Sequence, residues 1–198
     1  MNSKFLPMCK SDLVERGWDS VDIILVSGDA YVDHPSFAAA ILGRWLEKYG
    51  YKVGISAQPD WRKDDDFLKL GRPNLFFGVT AGNLDSLVAN RTSDKRPRRE
   101  DMYSPGGVAG KRPDRAVTVY CNALKKLFKD VPLVLGGIEV SLRRISHYDY
   151  WSDSIRRPIL FDTRAEILVY GMGEKAILQI ADKLRHHEPL VDIPNTAY

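Results

Sequence analysis

Val131-Pro-Leu-Val-Leu-Gly-Gly137 and Glu166-Ile-Leu-Val-Tyr-Gly-Met-Gly173 decide the fold. Each is a short apolar run that stops in glycine, and each stands beside a segment of helical periodicity. Runs of this kind read as strands buried on both faces, as in a parallel sheet. Glycine at the strand end leaves bare backbone at the rim, where open α/β sheets receive ligands in the crevice outside the carboxyl ends of their strands.

Working outward, Asp22-Ile-Ile-Leu-Val-Ser-Gly28 has the same form and reads as the first strand. Ala38, Ile41, Leu42, Trp45, Leu46 and Tyr49 follow at helical spacing, with Pro35 suited to a first turn and Gly50 to a C-terminal cap. Lys52 to Gln58 supplies a second strand, so these three pieces make a right-handed βαβ unit. Asn74 to Val79 reads as a third strand. A second helix pattern, from Ala116 to Phe128, carries Cys121 on its apolar stripe, and a third, from Ala176 to Leu184, follows the last strand. Strand and helix alternation of this kind predicts an α/β fold with a doubly wound, mainly parallel five-stranded sheet in the flavodoxin-like order 2-1-3-4-5. Residues 1–20 fall outside the pattern as an N-terminal extension, residues 21–187 form the domain, and 188–198, with Pro189 and Pro194, read as a connector.

The chain has 198 residues, 44% of them apolar, which suits one soluble domain of ordinary size. No apolar run approaches the roughly 20 residues needed to cross a bilayer, and the start shows no secretory pattern, so the expected location is cytoplasmic. Two cysteines, Cys9 and Cys121, give neither a disulfide framework nor a metal-ligand spacing. Charge is uneven. From Arg91 to Arg115 there are eight basic residues against four acidic, while the whole chain carries a formal +3, so the basicity belongs to one long loop. Residues 91–113 exceed what a minimal fold needs and read either as a phosphate or RNA contact or as a solvated, partly disordered excursion.

Two loops carry chemistry-bearing residues. Asp29, Asp33 and His34 fall in the first strand-to-helix turn, where they could supply acid, base or ligand groups. The plainer alternative has Asp33 capping the helix and Asp29 bonding the turn. Beyond Gly136 and Gly137, the run from Leu142 to Asp153 crowds Arg143, Arg144, His147, Tyr150 and Trp151, and arginine with aromatics favours an interface over catalysis. Gly171 and Gly173 complete the set at the sheet rim.

Several segments together, Phe5-Leu-Pro-Met8, Ser27-Gly-Asp-Ala-Tyr-Val-Asp-His-Pro-Ser-Phe37, Gln58-Pro-Asp-Trp61, Asn90-Arg-Thr-Ser-Asp94, Tyr103-Ser-Pro-Gly-Gly107, Gly110-Lys-Arg-Pro-Asp-Arg115, Gly136-Gly-Ile-Glu-Val-Ser-Leu-Arg-Arg144 and His147-Tyr-Asp-Tyr-Trp-Ser-Asp153, resemble the N-terminal region of the YgiQ family of radical SAM proteins. The resemblance implies an accessory domain that precedes a radical SAM barrel and helps to close its site. It also implies a [4Fe–4S] cluster and S-adenosylmethionine, both held downstream, because Cys9 and Cys121 cannot form the Cys-x3-Cys-x2-Cys triplet. The sheet domain is similar to cobalamin-binding domains as well. Their Asp-x-His-x-x-Gly motif, counted from Asp29, meets Tyr31 in place of histidine and His34 in place of glycine. Cobalamin held through a protein imidazole is therefore not expected, and binding without one stays open. Two other readings remain: an RNA- or phosphate-binding module using residues 91–115, and a free-standing small-molecule enzyme using Asp33 and His34.

Overall fold

A computed structural model describes residues 5–198. The elements run α1 (Lys10–Glu15), β1 (Ile23–Ser27), α2 (Ala38–Lys48), β2 (Val53–Ala57), α3 (Asp65–Leu68), β3 (Phe76–Thr80), α4 (Ser86–Asn90), α5 (Ala116–Leu127), β4 (Leu133–Leu135), α6 (Ile138–Leu142), β5 (His147–Asp149), β6 (Ser154–Arg156), α7 (Ile159–Thr163), β7 (Ile167–Val169), α8 (Glu174–Arg185) and β8 (Thr196–Ala197).

The main sheet has the order β2-β1-β3-β4-β7-β8, parallel through its first five strands. The expected five strands are present in the expected order. The sixth, β8, pairs antiparallel with β7, Leu168 against Ala197 and Val169 against Thr196. Residues 188–198, read from sequence as a connector, thus contribute an edge strand, anchored by the buried Ile193. Two residues of strand leave no period-2 pattern to read, and Pro194 masks them further.

Side chains alternate across the sheet as strand geometry requires. Ile23 and Leu25 face α2 and α8 and pack with Leu46, Ile177 and Ile180. Ile24 and Val26 face the other way, against Phe67, Val117, Tyr120 and Leu124. Each such buried Ile or Leu contributes about 1.5–3 kcal/mol relative to exposure. Cys121 lies in the second layer, and burial pushes its thiol far up.

Residues 1–4 of the expected extension lie outside the described residues. Residues 5–20 are built into the domain: Leu6 is buried, and the Ile55 N–H donates to the Pro7 carbonyl (2.8 Å), which covers part of the outer edge of β2. Gly43 makes room for this strand of chain, since a β-carbon there would stand 2.4 Å from Leu6 Cδ1. Helix α2 begins at Ala38 rather than near Pro35, with Phe37 as its N-cap.

The long excursion is also ordered. Between α4 and α5 it makes a short 3-10 turn at Pro105–Gly107 and two isolated bridges, Arg91 with Pro97 and Glu100 with Val108. The aromatic stretch after α6 forms the β5–β6 hairpin.

Candidate functional site

The C-terminal edge of the sheet divides into two regions. Over β3, β4 and β7, between the starts of α2 and α8, lies a cleft of about 300 Å³. Its walls include Leu42, Thr80, Gly136, Gly137, Gly171 and Ile177. Gly137 has φ +89° and ψ −178°, a conformation open in practice only to glycine, and a β-carbon there would meet Thr80 Oγ1 at 2.4 Å. Nothing lies within 4 Å of where β-carbons at Gly136 and Gly171 would stand, so the backbone there is open to an approaching group. Neither α2 nor α8 receives a side-chain cap. The cleft offers shape, apolar surface and free backbone, with Glu174 as its one acidic wall residue. That chemistry suits binding rather than proton transfer.

Over β1, β2 and β3 the excursion lies against the edge, leaving a pocket of about 590 Å³ between it and the end of β2, lined by Ala57, Gln58, Pro105 and Lys111 among others. Arg112 is buried completely, and its Nη2 lies 2.9 Å from Asp29 Oδ1 in an ion pair without a well-aligned hydrogen bond. The same nitrogen donates to Asp101 (3.1 and 3.2 Å), and Nη1 donates to the Ala81 carbonyl (3.1 Å). Asp29 Oδ2 accepts from the Asn83 N–H (2.7 Å). Burial raises the Asp29 carboxyl, with Arg112 opposing.

The other residues of the first turn go elsewhere. Asp33 is clasped by Arg44 of α2 (2.5 and 3.2 Å), whose guanidinium holds the carboxyl below its ordinary range. It does not cap α2. His34 is exposed, and its Nδ1 accepts from the Ser36 N–H (3.1 Å). Tyr31, at the motif's histidine position, accepts from the Leu6 N–H (3.2 Å), and burial pushes its phenol up to about 12. Asp29, Asp33 and His34 therefore have three separate sets of partners.

Beyond Gly137, Arg143 turns inward onto Asp85, which caps α4 by accepting from the Leu87 and Val88 N–H groups. Arg144 lies over the Tyr170 ring, 5.2 Å from its centroid. His147 Nδ1 lies 3.1 Å from the Ile145 carbonyl, and its Nε2 is buried without a partner. Tyr150 donates to the Ser93 carbonyl (2.8 Å) and meets Trp151 edge-on, 5.4 Å between centroids. The aromatics of this stretch thus pack partly on the excursion. In the segments after Gly137 and Gly171, Leu142, Ile145, Ile155, Phe161 and Met172 stay exposed, Ile155 at 74% and Met172 at 77%, and Met172 also lines the cleft. The segments that carry them are tied together, since Ile159 N–H donates to the Arg143 carbonyl (2.9 Å), Arg156 pairs with Asp162 (2.9 Å), and Gly171 N–H donates to Ser141 Oγ (3.4 Å).

The basic loop spends much of its charge internally. Arg91 pairs with Asp114 (2.5 Å), Arg112 with Asp29 and Asp101, and Arg115 with Asp149 (2.7 Å). Arg98 donates to the Val88 and Arg91 carbonyls. A continuous phosphate-binding stripe is therefore not what these arginines build.

Sequence reasoning missed Arg112, Asp101 and Glu139. Glu139 is buried under the double glycine and accepts from the Ser86 N–H (2.8 Å) and the Val117 N–H (3.2 Å), near the starts of α4 and α5; burial raises its carboxyl. Asp101 also bonds its near neighbours Tyr103 and Ser104, but the pairings that define the three, Arg112 with Asp101 and Asp29 and Glu139 with Ser86 and Val117, join residues 11 to 83 positions apart, which no local pattern marks. Among the described residues no group of three or more His, Cys, Asp or Glu side chains is placed to hold a metal ion, and no helix is long and apolar enough to cross a membrane.

The fold and its open edge define a doubly wound α/β domain of flavodoxin-like order, with its accessible surface at the strand C-termini. The chain belongs to the radical SAM N-terminal family, whose family model matches residues 5–198. It is 59% identical over 189 residues to a UPF0313 protein of Shewanella oneidensis, covering 96% of this chain and 24% of that protein. It is 57% identical over 196 residues to the UPF0313 protein YgiQ of Escherichia coli K12 (98% and 26%) and 59% identical over 180 residues to a UPF0313 protein of Thermotoga maritima (91% and 32%). The chain thus spans about a quarter to a third of the length of these relatives. Among solved structures it is similar to TsrM, a radical S-adenosylmethionine methyltransferase from Kitasatospora setae. The form with tryptophan and a SAM analogue gives a TM-score of 0.58 at 21% identity, covering 88% of this chain and 28% of that one. The form with cobalamin and a [4Fe–4S] cluster gives 0.54 at 19% (89% and 27%). At such identity the likeness is one of fold.

Proposed function

We propose that this chain is the N-terminal accessory domain of a cytoplasmic radical SAM protein, and that it presents the C-terminal edge of its sheet to the downstream barrel and helps to close the barrel's site. The observation that carries this reading is the set of exposed apolar side chains, Leu142, Ile145, Ile155, Phe161 and Met172, on the tied segments that follow the glycine-lined rim. Exposed apolar side chains gathered on one set of linked segments are what an interaction surface offers. The relatives are single chains three to four times as long, so the remainder of the polypeptide is the occupant at hand. The [4Fe–4S] cluster and S-adenosylmethionine belong to that remainder. Cys121 is sealed in the core and Cys9 stands apart at the start of α1, so this chain holds too few usable thiolates for a cluster.

Hydrogen exchange tests the assignment. Amides of 138–156 and 159–173 should exchange more slowly in the full-length polypeptide than in this chain alone, while amides of α3 and the 60–72 segment should exchange alike in both. Equal exchange of 138–156 and 159–173 in the two forms would overturn the reading.

A further inference from the structure

We infer that the glycine-lined cleft between α2 and α8 is a binding site for a flat, uncharged heteroaromatic ring that carries hydrogen-bond acceptors, and that this chain binds such a ring by itself. At about 300 Å³ the cleft has the size of a small-molecule pocket, and it opens at the strand C-termini, where doubly wound sheets take their ligands. Its walls favour a flat shape. On the sheet side, Gly136, Gly137 and Gly171 bring main chain rather than side chains to the lining, and on the α2 side Ala38 and Ala39 bring only methyl groups. A ring can lie against such surfaces at van der Waals distance, with Leu42 and Ile177 adding apolar contact.

The cleft is held in shape by bonds of its own. Trp45 Nε1 of α2 donates to the Glu174 carbonyl at the start of α8 (2.9 Å), which ties together the two helices that flank it. The Gly136 N–H donates to the Val79 carbonyl (3.0 Å), so the glycine side is fixed by the sheet. A site fixed in advance loses little on binding. Its rim offers hydrogen-bond donors. The first N–H groups of a helix have no intrahelical partner, and neither α2 nor α8 receives a side-chain cap, so both present donors at the mouth. Glu174 is the one charged side chain among the described lining residues, and its carboxylate disfavours an anion beside it. Donors without a neighbouring cation suit an uncharged acceptor, and the apolar walls suit the ring that carries it.

Caffeine, which is flat and uncharged and has acceptors but no N–H, serves as the probe. Titrated into the isotope-labelled chain, it should shift the amides of Ala39, Gly136, Gly171 and Ile177 saturably. Cyclohexanol, which is not flat, and inorganic phosphate, which is charged, should leave them in place at the same concentrations. Gly136 lies outside the left-handed region and nothing stands within 4 Å of its β-carbon position, so Gly136→Leu places a side chain at the cleft wall without backbone strain. We expect this variant to melt close to the unaltered chain and to lose the caffeine shifts. If it folds poorly, Ala39→Leu on α2 is read in the same way. No saturable shift in the unaltered chain, or shifts that survive in the filled variant, would overturn the inference. Phosphate acting in place of caffeine would make the cleft an anion site and overturn it too, as would shifts that follow protein concentration alone, the mark of a second copy in the cleft. No measurement here involves the downstream portion, so the outcome is independent of the docking reading.

Discussion

Arg115, the residue before α5, forks onto Asp149 at the end of β5, with its two Nη atoms 2.7 and 3.3 Å from the two carboxylate oxygens. Arg115 holds a left-handed backbone conformation, φ 55° and ψ 51°, so its placement costs about 1–3 kcal/mol that the pair must offset. Asp149 also accepts from the Ser152 N–H (2.9 Å). The pair is the tie between the excursion's exit and the aromatic hairpin.

That tie makes stability depend on pH. Burial tends to raise the Asp149 carboxyl, but bonds from Arg115 and Ser152 outweigh it and hold the group well below its ordinary 3.8. A carboxyl lowered in the folded state gives stability that is present above the unfolded value and lost as pH falls toward the folded one. We expect Asp149→Asn to lower Tm at pH 7 and to have a shrinking effect below about pH 4. Thermal melts across pH 2.5–7 check this, and a difference that grows on acidification would count against the assignment.

Arg143 is the residue whose role changed most between sequence and structure. In the sequence it belongs with Arg144, His147 and Trp151 in a stretch that reads as an interface. In the fold it is paired with Asp85 and also donates to the Glu139 carbonyl (3.3 Å). Removing one partner of a buried pair costs about 3–5 kcal/mol, whereas exposed pairs are worth about 1 kcal/mol or less. We therefore expect Arg143→Ala to lower the free energy of unfolding, measured by denaturant titration, by about 3 kcal/mol, and Arg144→Ala by under about 1 kcal/mol. Similar losses in the two variants would refute the distinction.

The strands were legible because a parallel sheet buried on both faces leaves unbroken apolar runs, and Leu133–Leu135 and Ile167–Val169 end in the glycines that mark its rim. Helix periodicity gave α2, α5 and α8 for the same reason. What local pattern could not show is long-range pairing. Arg112 reads as one more cation in a basic loop until the fold brings Asp29, 83 positions earlier, against it. The β5–β6 hairpin, three residues a side, is too short for alternation to register. The candidate turn residues Asp33 and His34 were visible, but their separation was not, since Arg44 draws one away and solvent takes the other.

Gly137 offers a test of the rim itself. Its φ of +89° with extended ψ is closed to other residues, and Thr80 Oγ1 occupies the space a β-carbon would need. We expect Gly137→Ala to destabilise the domain by about 2 kcal/mol or more. Adding Thr80→Gly should recover only part of that loss, because it relieves the contact and leaves the backbone strain. Full recovery in the double variant, measured by denaturant titration, would show that contact alone fixes this glycine.

The exposed apolar side chains and the inward pairs should separate cleanly by experiment. Ile155, Phe161 and Met172 are each mostly exposed, so replacing all three by serine removes little from the fold of the isolated chain. Surface changes of this kind usually alter stability by about 0.5 kcal/mol or less each. At an interface the same apolar side chains become buried, and truncating a central one costs about 2 kcal/mol or more of binding. We expect the triple variant to melt close to the unaltered chain while its association with a separately expressed downstream portion, measured by calorimetry, weakens at least tenfold. Salt should change that association little, because the three side chains are apolar and Arg156 and Arg157 beside them are paired with Asp162. A large loss of Tm with binding retained would place these three side chains in the core instead, and strong salt dependence would shift the interface to the unpaired cations of the excursion.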